Sequence, residues 1–493
     1  MKITALILAL TLLIGMLAAC GGGGSENMAV TDADTITEVE TTTAETALTP
    51  DIPDTDLGGK ELHFYVMGPK RNAANYSVEI YAESENGDPI NDAVYRRNSL
   101  MQEKYNFVIS ETQSTAGTMS ADVQSLVLAG DDVYQVTMLN LIDSTPLVKQ
   151  GMLYDLSDTA YIDLDKPWWD SVMADELSIG NRLYYAMGDI NIMDNNATWA
   201  VFFNKELINN YGLVSPYDDV SVNKWTIDRL YEYCTAIARD LDGDGVMSDE
   251  HDLWAMVGES YNAFMLYIAA GERLTVKDTD DLPVLDPPDS RAVQAVEKII
   301  RVMTDKERVI NAHDYASKYA SVFNDLIRGN FKKDQALFYI AGLLTFTLLR
   351  DMESAYGMVP MPKLDESQSE YYTSLNYSNL STVNIPITNP DPDATSLILE
   401  ALAYGSADTL TPAYYETALE RKYMRDEESR EMLEIILDTR VYDLMSLYNW
   451  GGIYGIFGNM VTSASTDFAS KYAALQTAAE TAIAATLEDM KLG

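Results

Sequence analysis

From residue 60 to residue 139, short β-rich runs alternate with segments of helical period, and that alternation leaves few folds open. Residues 61–67 alternate Leu62, Phe64 and Val66 with Glu61 and His63 and read as a first strand. Residues 92–105 carry Ala93, Val94, Leu100, Met101 and Tyr105 at helical spacing. Residues 107–110 read as a second strand, 120–129 as a short helix and 133–139 as a third strand. Strands that alternate with helices predict a mostly parallel sheet covered on both faces. Further strand-like runs occupy 183–187, 198–203, 336–340 and 356–363. Ile227, Leu230, Cys234, Ile237 and Ala238 share one helix face, with Thr226 placed to cap it and Asp228 to complement its dipole. A helix over 290–306 follows a loop marked by Pro283, Pro287 and Pro288. The last third reads as mostly helical, at 395–407, 412–423, 429–439 and 467–490.

The first 24 residues read MKITALILALTLLIGMLAACGGGG. Lys2 gives a positive start, an apolar run follows from Ile3 to Ala19, and Leu17, Ala18 and Ala19 precede Cys20. Three readings compete. A transmembrane helix needs about 20 apolar residues with polar anchors on both sides, whereas this run is shorter and ends in glycines. A secretory signal without lipid fits the small residues before a cut. The segment most resembles the lipobox of bacterial lipoproteins. That resemblance implies loss of residues 1–19 and acylation of Cys20, which would hold the chain at the extracellular face of the cell membrane. Residues 20–58 are rich in Gly, Thr and acids without a periodic apolar face, and read as a disordered tether extended by its own charge.

The chain is acidic, with 76 Asp and Glu against 34 Lys and Arg and a formal net charge of −42. Such a chain repels phosphate backbones, so nucleic acid is a poor partner. No stretch after residue 20 is apolar enough to span a bilayer. Cys20 and Cys234 are the two cysteines, so acylation of Cys20 leaves no intramolecular disulfide. His63, His251 and His313 are scattered, without the spacing of a zinc enzyme or a hydrolase triad.

Several blocks then fall in a recognisable order. Gly87-Asp-Pro-Ile-Asn-Asp-Ala-Val-Tyr-Arg-Arg-Asn comes first, followed by Trp168-Trp-Asp with Leu177-Ser-Ile-Gly-Asn-Arg-Leu-Tyr-Tyr-Ala-Met-Gly-Asp. Phe203-Asn-Lys-Glu-Leu, Tyr211-Gly-Leu and Lys224-Trp-Thr-Ile-Asp form the strongest group. Arg350-Asp-x-Glu and Tyr356-Gly-Met-Val-Pro-Met-Pro-Lys follow. Together they resemble the extracellular solute-binding proteins of family 1, the maltose-binding-like lipoproteins that serve ABC importers. The resemblance runs from about Lys60 to the C-terminus. It implies an α/β, two-lobed periplasmic-binding-protein type II-like fold, each lobe a mostly parallel sheet flanked by helices, with a helical C-terminal third. Lobe 1 would span 59–194 with about 380–425, and lobe 2 would span 195–378 with about 426–493. Chain crossings are expected near 192–198, 376–383 and 421–430. The implied function is capture of a solute, a carbohydrate above all, in the cleft and delivery to an ABC permease by a monomer that performs no chemistry. An extracellular carbohydrate-active enzyme, or a sensor or adhesin using the same cleft, is the alternative.

Tyr and Trp, at 31 and 6 residues against 11 Phe, present an apolar face with a polar tip suited to sugar rings. At predicted strand ends and crossings stand Asn140, Asp189, Asn195, Trp199, Tyr339, Asn376 and Tyr377. Trp450 lies in a segment that supplies a stacking aromatic in maltose-binding relatives. A second signal is Asp240-Leu-Asp242-Gly-Asp244-Gly-Val246-Met-Ser248, which follows the oxygen-ligand spacing of a calcium loop. Its twelfth position is His251, so a bulge would be needed to bring in Asp252. A structural Ca²⁺ held by Asp240, Asp242, Asp244, Val246, Ser248 and Asp252 is the expectation.

Overall fold

The chain folds around two main sheets whose strands come from distant parts of the sequence, beside a small two-stranded third. The computed structural model describes residues 48–419 and 427–492. The signal segment 1–19, Cys20 and most of the tether lie outside the described residues. The strands in chain order are β1 (Lys60–Val66), β2 (Phe107–Gln113), β3 (Val136–Asn140), β4 (Trp199–Asn204), β5 (Trp254–Gly258), β6 (Thr275–Lys277), β7 (Pro283–Leu285), β8 (Val309–Asn311), β9 (Ala336–Gly342), β10 (Tyr356–Val359) and β11 (Ser381–Asn384).

The first sheet has the order β11-β3-β1-β2, with β1 parallel to β2 and β3, and β11 antiparallel to β3. Leu62, Phe64 and Val66 of β1 are fully buried while Glu61 and His63 are not, as the alternation predicts. The helix Pro89–Tyr105 starts where the Asp88 carboxylate accepts the N–H groups of Ile90 and Asn91, and Pro89 supplies a pre-set first turn. The end of the expected tether is not free. Leu57 donates its N–H to the Tyr105 carbonyl, and Ile52 and Leu57 pack against the first core.

The second sheet has the order β10-β4-β9-β5-β8. It is mixed rather than mostly parallel: β5 is parallel to β8 and β9, but β4 runs against both β9 and β10. The chain enters this sheet through a crossing from the first one, so β4 starts at the edge where β9 ends. Every residue of β4, β5, β8 and β10 is buried. Burial on both faces explains why these strands read as continuous apolar runs. The run at 183–187 forms only single bridges, such as Ala186 with Val383. The neighbouring groups are already taken: the Leu183 carbonyl accepts from Leu156 N–H and the Tyr184 carbonyl from the Asn384 side chain.

Two chain crossings join the sheets and hydrogen-bond to each other. Trp199 N–H donates to the Ser374 carbonyl at 3.1 Å, and Asn376 N–H to Ala197 at 2.9 Å. A third segment adds to this ribbon, with Thr373 N–H on the Thr439 carbonyl and Val441 N–H on Thr373. The crossing expected near 421–430 falls largely on 420–426, outside the described residues, and the helix Glu427–Asp438 packs on β10. The C-terminal third is helical from Pro392–Ala407 to Phe468–Asp489. Among the described residues no helix is long and apolar enough to cross a membrane.

Candidate functional site

Register brings the carboxyl ends of β5, β8 and β9 to one edge of the second sheet, together with the start of β4. Gly258 lies beside Asn311, and Trp199 beside Gly342. Ligands of open α/β sheets bind beyond such strand ends. The chain leaving β5 makes a tight turn there. Asn262 Oδ1 accepts the Glu259 N–H at 2.7 Å. A Cβ on Gly258 would stand 2.7 Å from that same oxygen, so glycine lets the turn close.

This turn presents Glu259, Ser260 and Tyr261. Tyr261 Oη donates to Glu259 Oε1 at 2.7 Å, and Ser260 Oγ lies 3.1 Å from His313 Nδ1. The Trp199 ring meets Tyr261 edge to face at 5.6 Å. Among the described residues, three polar atoms in this small region are buried with no hydrogen-bond partner: Trp199 Nε1, Glu259 Oε2 and Asn262 Nδ2. Glu259 is 7% exposed, while Tyr261 and Tyr454 are half-buried. Burial pushes the Glu259 carboxyl up to about 7, and the hydrogen bond from Tyr261 offsets only part of that. The charge of Glu259 in turn reaches Tyr261, Tyr339 and Tyr454 and helps raise all three phenols, after burial itself.

The crossing that leads into β4 approaches this region through Asn196. The Asn196 carbonyl accepts Leu344 N–H at 3.0 Å, just past β9. Its side chain donates to Asn75 Oδ1 at 3.3 Å and accepts from Tyr414 Oη at 3.2 Å. Asn75 then donates to the Asn379 carbonyl at 2.6 Å. A Cβ on Gly342 would stand 2.9 Å from the Asn196 carbonyl oxygen. Beneath the crossing, Arg440 pairs with Asp194 at 2.9 Å and Asp170 at 3.3 Å. Burial raises the Asp194 carboxyl, and Arg440 offsets part of the rise.

Of the residues singled out from sequence, Trp199 and Tyr339 belong to this region. Asn195 stands at the crossing, where its Oδ1 accepts from Arg440. Asn376 caps its own turn by accepting Ser378 N–H. Asp189 accepts from Thr411 Oγ1 and stands on the first-sheet side. Three residues are corrected. Asn140 is fully buried and serves as the cap of the helix Leu141–Lys149. Tyr377 is buried, with its hydroxyl taken by Asp443 N–H. Trp450 is 2% exposed, stacks on Tyr448 at 4.9 Å and donates to Thr486 Oγ1, so its ring is a core element with no free face.

In the acidic loop, carboxylate oxygens of Asp240, Asp242 and Asp244 come within 4.8 Å of one another. Val246 is exposed, and Ser248 Oγ accepts Glu250 N–H. Asp252 is corrected: it is fully buried and its two oxygens accept the N–H groups of Leu241 and Ser248. It ties the loop together from below and stands outside the three-carboxylate group.

Sequence reasoning missed Glu259, Tyr261, Asn262 and His313 as site members. One signal for them exists: the apolar run Leu253-Trp-Ala-Met-Val, closed by Gly258, directly after an acidic loop.

No protein-family model matches the chain, and no curated protein matches it in sequence. Solved structures do match in fold. UspC of M. tuberculosis is 13% identical with a TM-score of 0.56, over 86% of this chain and 100% of that one. An ABC substrate-binding protein of Listeria monocytogenes in complex with cycloalternan is 12% identical with a TM-score of 0.52, over 88% and 100%. The maltose/maltodextrin-binding domain MalE of Bdellovibrio bacteriovorus, bound to maltotriose, is 11% identical with a TM-score of 0.51, over 87% and 100%. The chain therefore has the mixed α/β fold of the ABC substrate-binding proteins.

Proposed function

We propose that this chain is a solute-binding receptor that takes an oligosaccharide between the edges of its two sheets and passes it unaltered to an ABC permease. The observation that carries this reading is the group of Trp199 Nε1, Glu259 Oε2 and Asn262 Nδ2, buried without partners among aromatic rings. A buried polar group without a partner costs about 1–3 kcal/mol. Sugar hydroxyls both donate and accept, so a pyranose supplies all three partners while its C–H face lies on the half-buried Tyr261. The relatives in fold include proteins bound to cycloalternan and maltotriose, which supports an oligosaccharide as the cargo. Closure of the two sheets would turn on the ribbon at 197–199 and 373–376, a hinge motion favoured by contacts to both sides.

The N-terminal resemblance to a lipobox adds an anchor at Cys20 and places the receptor, a monomer, on the extracellular face. Asp240, Asp242 and Asp244 would hold a structural Ca²⁺ with the Val246 carbonyl, since three converging carboxylates repel one another without a cation. Titration calorimetry with maltotriose and maltotetraose, with product analysis after incubation, tests the receptor reading. Binding with intact sugar is expected. Cleaved sugar refutes it, as does an absence of binding across a broad saccharide panel.

A further inference from the structure

Resting on the solute-receptor reading, the geometry points to a solute that carries a protonated amine: an amino-sugar oligosaccharide whose ammonium group sits on Glu259 Oε2.

The partner pattern at this site is asymmetric. Trp199 Nε1 and Asn262 Nδ2 are donors, and a sugar hydroxyl or ring oxygen satisfies them. Glu259 Oε2 differs, because it belongs to a carboxyl group that becomes an anion on ionising. Its other oxygen takes a single hydrogen bond, from the neutral Tyr261 hydroxyl. Among the described residues no Lys or Arg is ion-paired with Glu259, whereas Asp194 and Asp170 beside the crossing share Arg440. A neutral hydroxyl would complete the hydrogen bond but give the ionised carboxyl no counter-charge. Buried charges are stable when paired, so an ammonium group answers both needs.

The surroundings favour a cation a second time. Trp199 and Tyr261 lie against each other beside the carboxyl, and Tyr339 and Tyr454 lie within reach of its charge. Aromatic faces attract cations, and the attraction grows as water is excluded. The formal net charge of −42 draws cationic solutes toward the protein and repels anionic ones. An amino sugar offers hydroxyls for the two donors, a C–H face for the rings and a cation for the carboxylate. Burial of the carboxyl keeps much of it protonated near neutral pH in the empty site. Arrival of the ammonium then displaces that proton to the buffer, which a neutral sugar does not do.

The test uses titration calorimetry on the full body at neutral pH, with three probes of equal length: a glucosamine tetramer, an N-acetylglucosamine tetramer and maltotetraose. The glucosamine tetramer is expected to bind at least about tenfold more tightly than either neutral tetramer. Its binding heat is expected to vary with the ionisation enthalpy of the buffer, and its affinity to fall with added salt while theirs does not. In Glu259→Gln the three tetramers are expected to bind within about threefold of one another. The salt and buffer measurements need only the unaltered protein, so they stand even if the variant folds poorly. Equal or tighter binding of the neutral tetramers overturns the inference and leaves the receptor reading in place. A preference that survives Glu259→Gln also overturns it. Failure of all three tetramers to bind overturns the inference, and failure across a wider panel takes the receptor reading with it.

Discussion

The empty site should make the protein less stable as pH rises, and Glu259→Gln isolates the effect. An ordinary Glu in the unfolded chain ionises near 4.5, while burial holds Glu259 at about 7 in the folded one. Between those values the folded protein keeps a proton that the unfolded chain has released. Stability therefore falls as pH rises through this window and levels off above about 7. The gap corresponds to about 3 kcal/mol at 1.36 kcal/mol for each tenfold change in proton concentration. For the body Asp51–Gly493, an unfolding entropy of about 2.1 cal/mol/K per residue gives about 0.9 kcal/mol/K. The stability difference thus becomes about 3 °C in melting temperature. Gln keeps the acceptor for Tyr261 but has no proton to lose. Scanning calorimetry without solute should show wild type and Glu259→Gln melting together at pH 5, with the variant about 3 °C higher at pH 8. Glu79 and Glu111 are also pushed up to about 7 by burial, but they act equally in both proteins and cancel in the difference. Melting curves that stay parallel from pH 5 to pH 8 would refute the argument, because Glu259 would then be solvated or paired in the folded state.

Three more outcomes are expected. Trp450→Ala should lower stability by about 3–5 kcal/mol, as for other buried aromatics, and leave oligosaccharide affinity unchanged; denaturant titration and calorimetry read the two separately, and a loss of affinity without a loss of stability would return Trp450 to the site. Arg440→Met leaves the Asp170 and Asp194 carboxylates without their cation and should cost about 3–5 kcal/mol, with part restored by Asp194→Asn in the same chain; equal stability of single and double variants would show that the pair is not coupled. Calcium should raise the melting temperature, and Asp242→Ala should abolish the rise; no shift on calcium titration removes the ion from the loop.

The fold was largely legible where burial is one-sided. In β1, Leu62, Phe64 and Val66 alternate with Glu61 and His63, and the period of two names the strand without further help. The helix over Ile227–Ile237 was equally plain, down to the Thr226 Oγ that accepts Arg229 N–H. Legibility failed where both faces are covered. The residues of β5 and β8 are buried throughout and carry no period, and such short runs do not announce their length. It failed again at 183–187, where the side chains suit a strand but the neighbouring carbonyls are used by a loop and by Asn384.

The site asks for something that residue type does not contain: whether a buried polar atom has a partner. Trp199 and Trp450 look alike in sequence, each a Trp near Asn at the margin of an element. Their difference arises from what lies around them. Gly451, at a φ of 62°, lets the chain turn against the helix Phe468–Asp489, and a Cβ there would stand 2.5 Å from Ala479 N. That close approach draws Trp450 inward until Thr486 accepts its Nε1–H. Trp199 starts β4 at a sheet edge, where the ladder supplies backbone bonds and nothing among the described residues reaches its Nε1. Asn140 and Asn262 divide in the same way. Both accept a nearby backbone N–H through Oδ1, but Asn140 Nδ2 finds the Leu380 carbonyl just before the neighbouring strand, whereas Asn262 Nδ2 finds none among the described residues. Glu259 is one acid among 76 acidic residues and is set apart only by the register that ends β5 at Gly258, beneath Tyr261. Folding free energy favours a partner for every buried polar group. Three exceptions gathered at one set of strand ends, and nowhere explained by their own neighbours, are therefore best accounted for by a partner that arrives from outside.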